Sequence, residues 1–414
     1  MNDVIIVGAG ICGLTLALSL HQRNIPCRVF ERAPRITDLG VGITLLPHAM
    51  RELASLGLDA SAREAGIENR ESRFFNRFGQ LIYTEPRGRF AGYPLPEIGI
   101  HRGRLQMILH RAAVERLGAD RIATDHQCVA VEQGDDAVTA HFRETSSGNV
   151  LPGTRGAVVV ACDGVNSTIR RQLHPADALV FAGINTWRGV TRRKPILDGR
   201  TYLRIGSIMT GKMVIYPIVD DVDGAGDQLV NWVAEIKQEG HDQNDWNKPG
   251  DIDAFLPIYE GWRFDWLDVP DLIRSADQVL EYPMVDKDPL DSWTQGRITL
   301  AGDAAHPMYP RGSNGSAQAM IDARTLAECL QADRDAAAAL RAYEALRRPP
   351  TTRIVETNRE FPPDFINIKV EQLVGDRPFD DLDRYITQAE LKALSDEYKR
   401  IAGFALANVE QPDA

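Results

Sequence analysis

Three carboxylates in this sequence stand at the ends of short apolar runs: Glu31 after Arg28-Val29-Phe30, Asp163 after Ala157 to Cys162, and Asp303 after Arg297 to Ala301 and Gly302. A carboxylate where a strand ends can accept hydrogen bonds from sugar hydroxyls, and the residues before Glu31 say what carries the sugar. Gly8-Ala9-Gly10-Ile11-Cys12-Gly13 matches G-x-G-x-x-G between a buried strand, Val4 to Val7, and a helix from Leu14 to Arg23. Gly8 permits the tight turn, Gly10 lets a pyrophosphate approach the backbone, and Gly13 lets helix pack on strand. The helix N-terminus offers unpaired N–H groups and a partial positive charge. Glu31, eighteen residues past Gly13, suits a free ribose 2′-hydroxyl, so NAD or FAD is favoured over NADP. An ordinary βαβ unit with a glycine-rich turn is the weaker reading, because strand, helix, second strand and acid all fall in register.

Two further motifs lie far along the chain. Cys162-Asp163-Gly164 runs on through Val165-Asn166 to Ser167-Thr168-Ile169-Arg170, an S-x-x-R pattern. Gly302-Asp303-Ala304-Ala305-His306-Pro307 comes after another buried strand, and Gly312-Ser313-Asn314-Gly315 then opens a long helix whose free N–H groups face whatever lies there. His306 could handle a proton near a bound group, although a histidine satisfied by backbone is the commoner case. Arg188 and Arg204, on strand-like runs, could clamp a carboxylate, against the more frequent surface or interdomain ion pair. Trp187, Met213, Tyr216, Trp232 and Tyr309 could line an aromatic slot, while core packing explains any one of them as well. Arg311 is a contact candidate for cofactor or substrate. Cys12 has only to be small and buried, with no redox role.

Regular structure around these residues is marked by periodicity. Pro47 to Leu56 and Leu105 to Leu117 have helical spacing, and Phe74 to Tyr83 reads as strands about Gly79. Val129 to Val131 and Val138 to Phe142 make a hairpin. From Val180 the texture changes to strand-like runs without a long helix: 184–191, 201–205, 212–219 and 228–236. Four of six tryptophans, Trp232, Trp246, Trp262 and Trp266, fall in or just after these runs. The pattern predicts an antiparallel sheet inserted into an α/β unit, with a pocket between the two. Further helices are expected at Ser316 to Ala332 and Ala336 to Arg348, punctuated by Pro349-Pro350, with a last one from Glu390 to Ile401.

At 414 residues the chain is long enough for two or three domains. Its net charge of −11 argues against nucleic acid as a partner. Five widely spaced cysteines without C-x-x-C pairs fit a reducing compartment and no metal cluster. The apolar run Ile5 to Leu20 lacks a basic flank and is explained by the glycine spacing, not by a signal peptide, and no run suffices to span a bilayer. The expectation is a cytoplasmic protein, monomer or homodimer.

G-x-G-x-x-G, D-G and G-D in this order and spacing resemble the FAD-dependent aromatic-ring monooxygenases of the p-hydroxybenzoate hydroxylase type, over residues 3 to 350. Leu39-Gly40-Val41-Gly42-Ile43, Ile100-His101-Arg102-Gly103, Trp187-Arg188-Gly189-Val190-Thr191, Tyr282 to Asp286 and Gly302 to His306 are similar to the branch of that family acting on phenazines. The chain departs from that branch at Pro307, at Arg311 and after Asn358. The resemblance implies a Rossmann-like FAD-binding domain (1–72, 97–179 and 285–355), interrupted by an antiparallel β-rich substrate domain (73–96 and 180–284), with a helical tail (356–414). It implies that Gly8 to Gly13, with Ile11 and Cys12, and Glu31-Arg32 hold the ADP half of FAD. Arg102 would meet the pyrophosphate or ribityl chain, and the Val129 backbone the adenine. Asp163-Gly164 would support FAD and the nicotinamide, and Asp303 the ribityl. Gly40 to Ile43, chiefly Gly42 and Ile43, would flank the isoalloxazine, and Pro310, Gly312, Asn314 and Gly315 would face the flavin. The implied reaction uses NADH or NADPH and O₂ to hydroxylate an aromatic or heteroaromatic, carboxylated substrate through a flavin C4a-hydroperoxide, with loss of CO₂ in some members. Two alternatives stand beside it. One is a flavin halogenase or reductase, although W-x-W-x-I-P is absent; the other is a non-catalytic FAD-binding redox sensor.

Overall fold

The computed structural model describes residues 3–38, 40–238, 248–360 and 364–401; Leu39, Trp246 and the last residues of the tail lie outside them. Val4–Val7 is wholly apolar, and a strand of that kind is stable only when covered on both faces. It lies inside a six-stranded sheet, paired in parallel with Cys27–Phe30 on one side and Val158–Ala161 on the other. Ile298–Leu300 adds in parallel beyond Val158–Ala161. Four parallel neighbours therefore end on one edge, and the chain leaves them there as the glycine loop, Glu31, Asp163 and the Gly302-Asp303 turn. Ligands of open parallel sheets bind at this carboxyl edge. The glycine-loop helix spans Ile11–Gln22, starting inside the motif rather than after it, because Gly10 is its N-cap. It packs beside Arg102–Leu117 and Gly315–Ala332.

The second large sheet has eight strands in the order Lys248–Pro249, Ala276–Lys287, Leu179–Arg193, Gln228–Lys237, Gly211–Val219, Thr201–Ser207, Glu71–Phe75 and Leu81–Pro86. Its ladders are antiparallel except one. Thr201–Ser207 runs parallel to Glu71–Phe75, which enters from an earlier part of the chain and not by a hairpin. One face of this sheet packs on the short helices Leu256–Tyr259 and Val269–Arg274 through Phe255, Tyr259, Trp262 and Leu272. The other faces the first sheet. The helices Phe365–Val374 and Gln388–Ile401 cover Phe74, Ile82 and Tyr83 at the far edge.

The expected stop at Pro349-Pro350 is corrected. The helix runs unbroken from Ala336 to Glu360. The Thr351 hydroxyl donates to the Arg347 and Arg348 carbonyls at 2.9 and 3.1 Å, closing the backbone around the prolines, and Arg347 is anchored in the interior. Tertiary anchoring here outweighs the roughly 3 kcal/mol that a mid-helix proline costs.

Candidate active site

The glycine loop is built by contacts that no other residue type permits. A Cβ on Gly13 would sit 1.9 Å from the Gly8 carbonyl oxygen, and one on Gly8 (φ +107°) would sit 2.4 Å from the Cys162 oxygen. Gly10 differs, since a Cβ there would meet nothing within 4 Å. Its missing side chain leaves space open above the loop, as a pyrophosphate requires. Glu31 braces the loop from below, accepting from the Ala9 and Ala33 N–H groups, both at 2.8 Å.

The second and third motifs are tied together by Arg170, the last residue of S-x-x-R. Ser167 caps its short helix by accepting from the Arg170 N–H at 2.9 Å. The fully buried guanidinium donates to the Ala304 and Ala305 carbonyls at 3.1 and 2.7 Å, and bidentately to Asp177 at 2.9 and 2.7 Å. Asp163 accepts from the Thr168 N–H at 2.8 Å, while its second oxygen is buried without a partner among the described residues. Burial pushes its carboxyl above the ordinary range, against the pull of the Ser167 hydroxyl and nearby N–H groups. Asp303 opens onto the cleft; enclosure by the protein pushes its carboxyl up too, and His306 and Arg102 pull it back.

Between the sheets lies a cleft of about 310 Å³. It brings together Gly10, Ile11, Cys12, Gly42, Ile43, Arg102, Gly164, Asp303, Pro310, Gly312, Asn314 and Gly315, residues from five separated segments. Gly42 is held on both sides: its N–H donates to Asn231 Oδ1 at 2.7 Å and its carbonyl accepts from the Tyr216 hydroxyl at 2.8 Å. Glu31, Arg32, Val129 and Asp163 are not part of this lining; Arg32 and Val129 are exposed. An orphaned oxygen on Asp163, the open approach at Gly10 and a carboxylate at each strand end suit an extended dinucleotide with several hydroxyls.

The opposite wall obeys the period of two. Arg188, Val233, Val214 and Arg204 pair in succession across four strands and all line the cleft. Tyr202, Lys212, Tyr216 and Glu235 share that face. Trp187, Met213 and Trp232, expected in an aromatic slot, do not. They sit one residue out of phase, at 4%, 0% and 0% exposure, in the core behind the sheet. Trp187 stacks on Phe255 with centroids 4.8 Å apart, and Trp232 donates to the Thr191 hydroxyl at 3.0 Å. Parity along a strand decides this, and it can be assigned only once the register is known.

Tyr309 and Arg311 line the cleft. Arg204 is stacked 4.8 Å from both the Phe74 and Tyr202 rings and donates to Ser72 at 2.6 Å. Arg188 lies over Tyr282 at 5.6 Å; its Nε is buried without a hydrogen-bond partner, and it makes no ion pair among the described residues. Lys212 keeps its charge: burial opposes it, but Asp364 and Glu235 outweigh burial and raise its pKa. His306 is corrected as a proton handler for the cleft. Its Nε2 is spent on Asp322 at 2.5 Å, and its ring packs against Trp293. His48, Gln318, Asp322 and Arg347 carry no motif that announces a partner, and form the buried polar layer behind the cleft.

Residues 1–198 and 277–358 match a family model described as an FAD binding domain. The chain is 42% identical to phenazine 1,6-dicarboxylic acid hydroxylase PhzS of Lysobacter antibioticus, over 87% of this chain and 89% of that one. It is 33% identical to 3-amino-4-hydroxybenzoate 2-monooxygenase PtmB3 of Streptomyces platensis, over 86% and 87%. Among solved structures, Klebsiella pneumoniae HpxO complexed with FAD and uric acid superposes with a TM-score of 0.74 at 23% identity, over 99% of this chain and 96% of that one. For 2,6-dihydroxypyridine-3-hydroxylase from Arthrobacter nicotinovorans the TM-score is 0.69 at 22% identity, over 93% and 96%. Cleft, motifs and matches agree, and the chain belongs to the FAD-dependent aromatic-ring monooxygenases.

Proposed function

We propose that this enzyme uses NAD(P)H and O₂ to hydroxylate a flat, carboxylated aromatic or heteroaromatic ring, with loss of CO₂ where the carboxyl sits on the attacked carbon. The observation that carries the reading is the row Arg188–Val233–Val214–Arg204 on the cleft wall. Two valines make an apolar floor between two arginines whose strands lie three spacings, about 14 Å, apart. A flat ring suits the floor, and a carboxylate suits the cations through charge-assisted hydrogen bonds. Arg188 favours an anion most, because a partly buried guanidinium without a carboxylate partner among the described residues carries a desolvation cost that a substrate carboxylate offsets. PhzS and the hydroxybenzoate enzyme are named for carboxylated substrates, which supports the same class.

Bound FAD supplies two-electron exchange with a nicotinamide and the activation of O₂. The chain's own residues bind and orient. Asp163, Asp303 and Arg102 would hold the sugar and phosphate groups. Tyr216 and Asn231 fix Gly42 at the wall, so the ring site keeps its width. The N-terminus of the Gly315–Ala332 helix directs positive potential into the cleft, where reduced cofactor carries negative charge. Arg188 and Arg204 would hold the substrate so that its ring, and not water, fills the space above Val214 and Val233. The nicotinamide donor would bind transiently, as the chain carries no second G-x-G-x-x-G in a strand–helix setting. No helix among the described residues is long and apolar enough to cross a membrane, and we place the enzyme in the cytoplasm, where the donor is replenished.

An uncoupling screen tests the proposal. Planar aromatic acids should accelerate NAD(P)H use and lower the H₂O₂ released per NAD(P)H. Equal stimulation by the same rings without a carboxylate would defeat it.

A further inference from the structure

Behind the cleft, five buried side chains and one more histidine form an unbroken polar chain. His48 Nε2 lies 2.9 Å from Asn314 Oδ1, and Gln318 Nε2 donates to the same oxygen at 3.1 Å. Arg347 donates from Nη2 to Gln318 Oε1 at 2.6 Å and from Nε to Asp322 Oδ1 at 2.7 Å. Asp322 Oδ2 accepts from the Gly302 N–H at 2.9 Å and lies 2.5 Å from His306 Nε2. All six residues are below 9% exposure.

The direction of every bond in the chain is set by its one residue that cannot accept. Guanidinium groups only donate, so the Gln318 oxygen must face Arg347 and its amide nitrogen must face Asn314. The Asn314 atom between Gln318 and His48 is therefore the carbonyl oxygen. His48 must then donate from Nε2, and the Asn314 NH₂ is turned away from both. Asn314 lines the cleft, and no described residue accepts from that NH₂. The chain thus starts at a buried carboxylate beneath the Gly302-Asp303 turn and ends as a fixed donor at the mouth of the Gly315–Ala332 helix.

We propose that His48, Gln318 and Arg347 are positioning residues that hold the Asn314 amide N–H towards the cofactor and thereby favour reduced over oxidised FAD. The inference rests on FAD occupying the cleft. A donor aimed by a satisfied network costs no reorganisation when negative charge develops opposite it. Without His48 or Gln318 the carboxamide is free to turn, and its oxygen can face the cleft instead.

The test is the midpoint potential of bound FAD, with His48→Leu and Gln318→Met as disruptive variants and His48→Gln as the conservative one. Preference for the reduced cofactor should fall about tenfold in each disruptive variant, equal to about 30 mV for a two-electron couple. His48→Gln keeps a donor and should stay within a third of that shift. A merely structural role would lower the unfolding temperature and leave the midpoint at its wild-type value, which overturns the proposal. Equal shifts in His48→Gln and His48→Leu would overturn it too. If one variant fails to fold, the other carries the measurement. A wild-type protein that retains no FAD would overturn the cofactor assignment itself.

Discussion

The two walls of the cleft are built on different rules. The parallel-sheet wall presents backbone: Gly10, Gly164, Gly312 and Gly315 line it, and its carboxylates stand at strand ends. The antiparallel wall presents side chains, Arg188, Tyr202, Arg204, Lys212, Val214 and Tyr216, alternating with a core on its other face. A backbone surface can be altered only by adding atoms, whereas a side-chain surface can be rewritten residue by residue. One wall therefore suits a constant ligand and the other a ligand that differs between relatives.

Substitutions can test that contrast, and the largest effect belongs to Gly13. Its Cβ would sit 1.9 Å from the Gly8 oxygen, so Gly13→Ala should abolish soluble holoprotein, measured as the flavin-to-protein ratio after purification. Gly10→Val should leave the fold intact and lose FAD; a stable yellow Gly10→Val protein would show that the loop does not approach a pyrophosphate. Next comes the polar layer. Burial, with Arg51 and Arg347 adding, pushes His48 down to about 4 against the hydrogen bond that its ring N–H donates to Asn314. An unfolded histidine titrates near 6.5, so below that pH the unfolded chain takes up a proton that the folded one refuses. Stability is then fully present above about pH 6.5 and falls by about 3 kcal/mol as the pH drops to 4. His48→Gln should remove that component from denaturation curves taken at several pH values.

For Asp303→Asn we expect FAD affinity to drop about thirtyfold, about 2 kcal/mol, through loss of a charge-assisted acceptor. Titration of the apoprotein with FAD measures it, and an unchanged affinity would remove Asp303 from the site. On the other wall, Arg188→Ala should raise KM for an aromatic acid roughly tenfold, with FAD affinity untouched. Trp232→Phe has the smallest effect, about 1 kcal/mol of stability and no change in KM, since Trp232 faces the rear core. A raised KM there would mean that the face assignment is wrong.

The same contrast explains what could be read before the fold was known. The glycine pattern and its strand–helix context are local, and Gly8 and Gly13 have roles that spacing alone implies, whereas the hold of Glu31 on the Ala9 and Ala33 N–H groups was not among the readings of the sequence. Asp163 and Asp303 were legible as strand-end carboxylates. The substrate wall was legible as strands but not as faces. Trp187 and Arg188 are neighbours, and only the pairing of Arg188 with Val233 says which of them meets the cleft. His48, Gln318, Asp322 and Arg347 were silent, because each owes its role to a partner on another helix or loop. Pro349-Pro350 misled for a related reason: a local rule for ending helices was overridden by Arg347 and Thr351 holding the turn together.

Parallel order in the first sheet also dictates when the enzyme can acquire its colour. Val4–Val7 is made long before its neighbour Val158–Ala161, and the next parallel strand on that flank, Ile298–Leu300, comes later still. A nascent chain ending before Ile298 has a bare apolar strand edge and no Asp303, and pairings of such long reach form slowly. Flavin capture accordingly waits until Asp303 and the strand before it have been made.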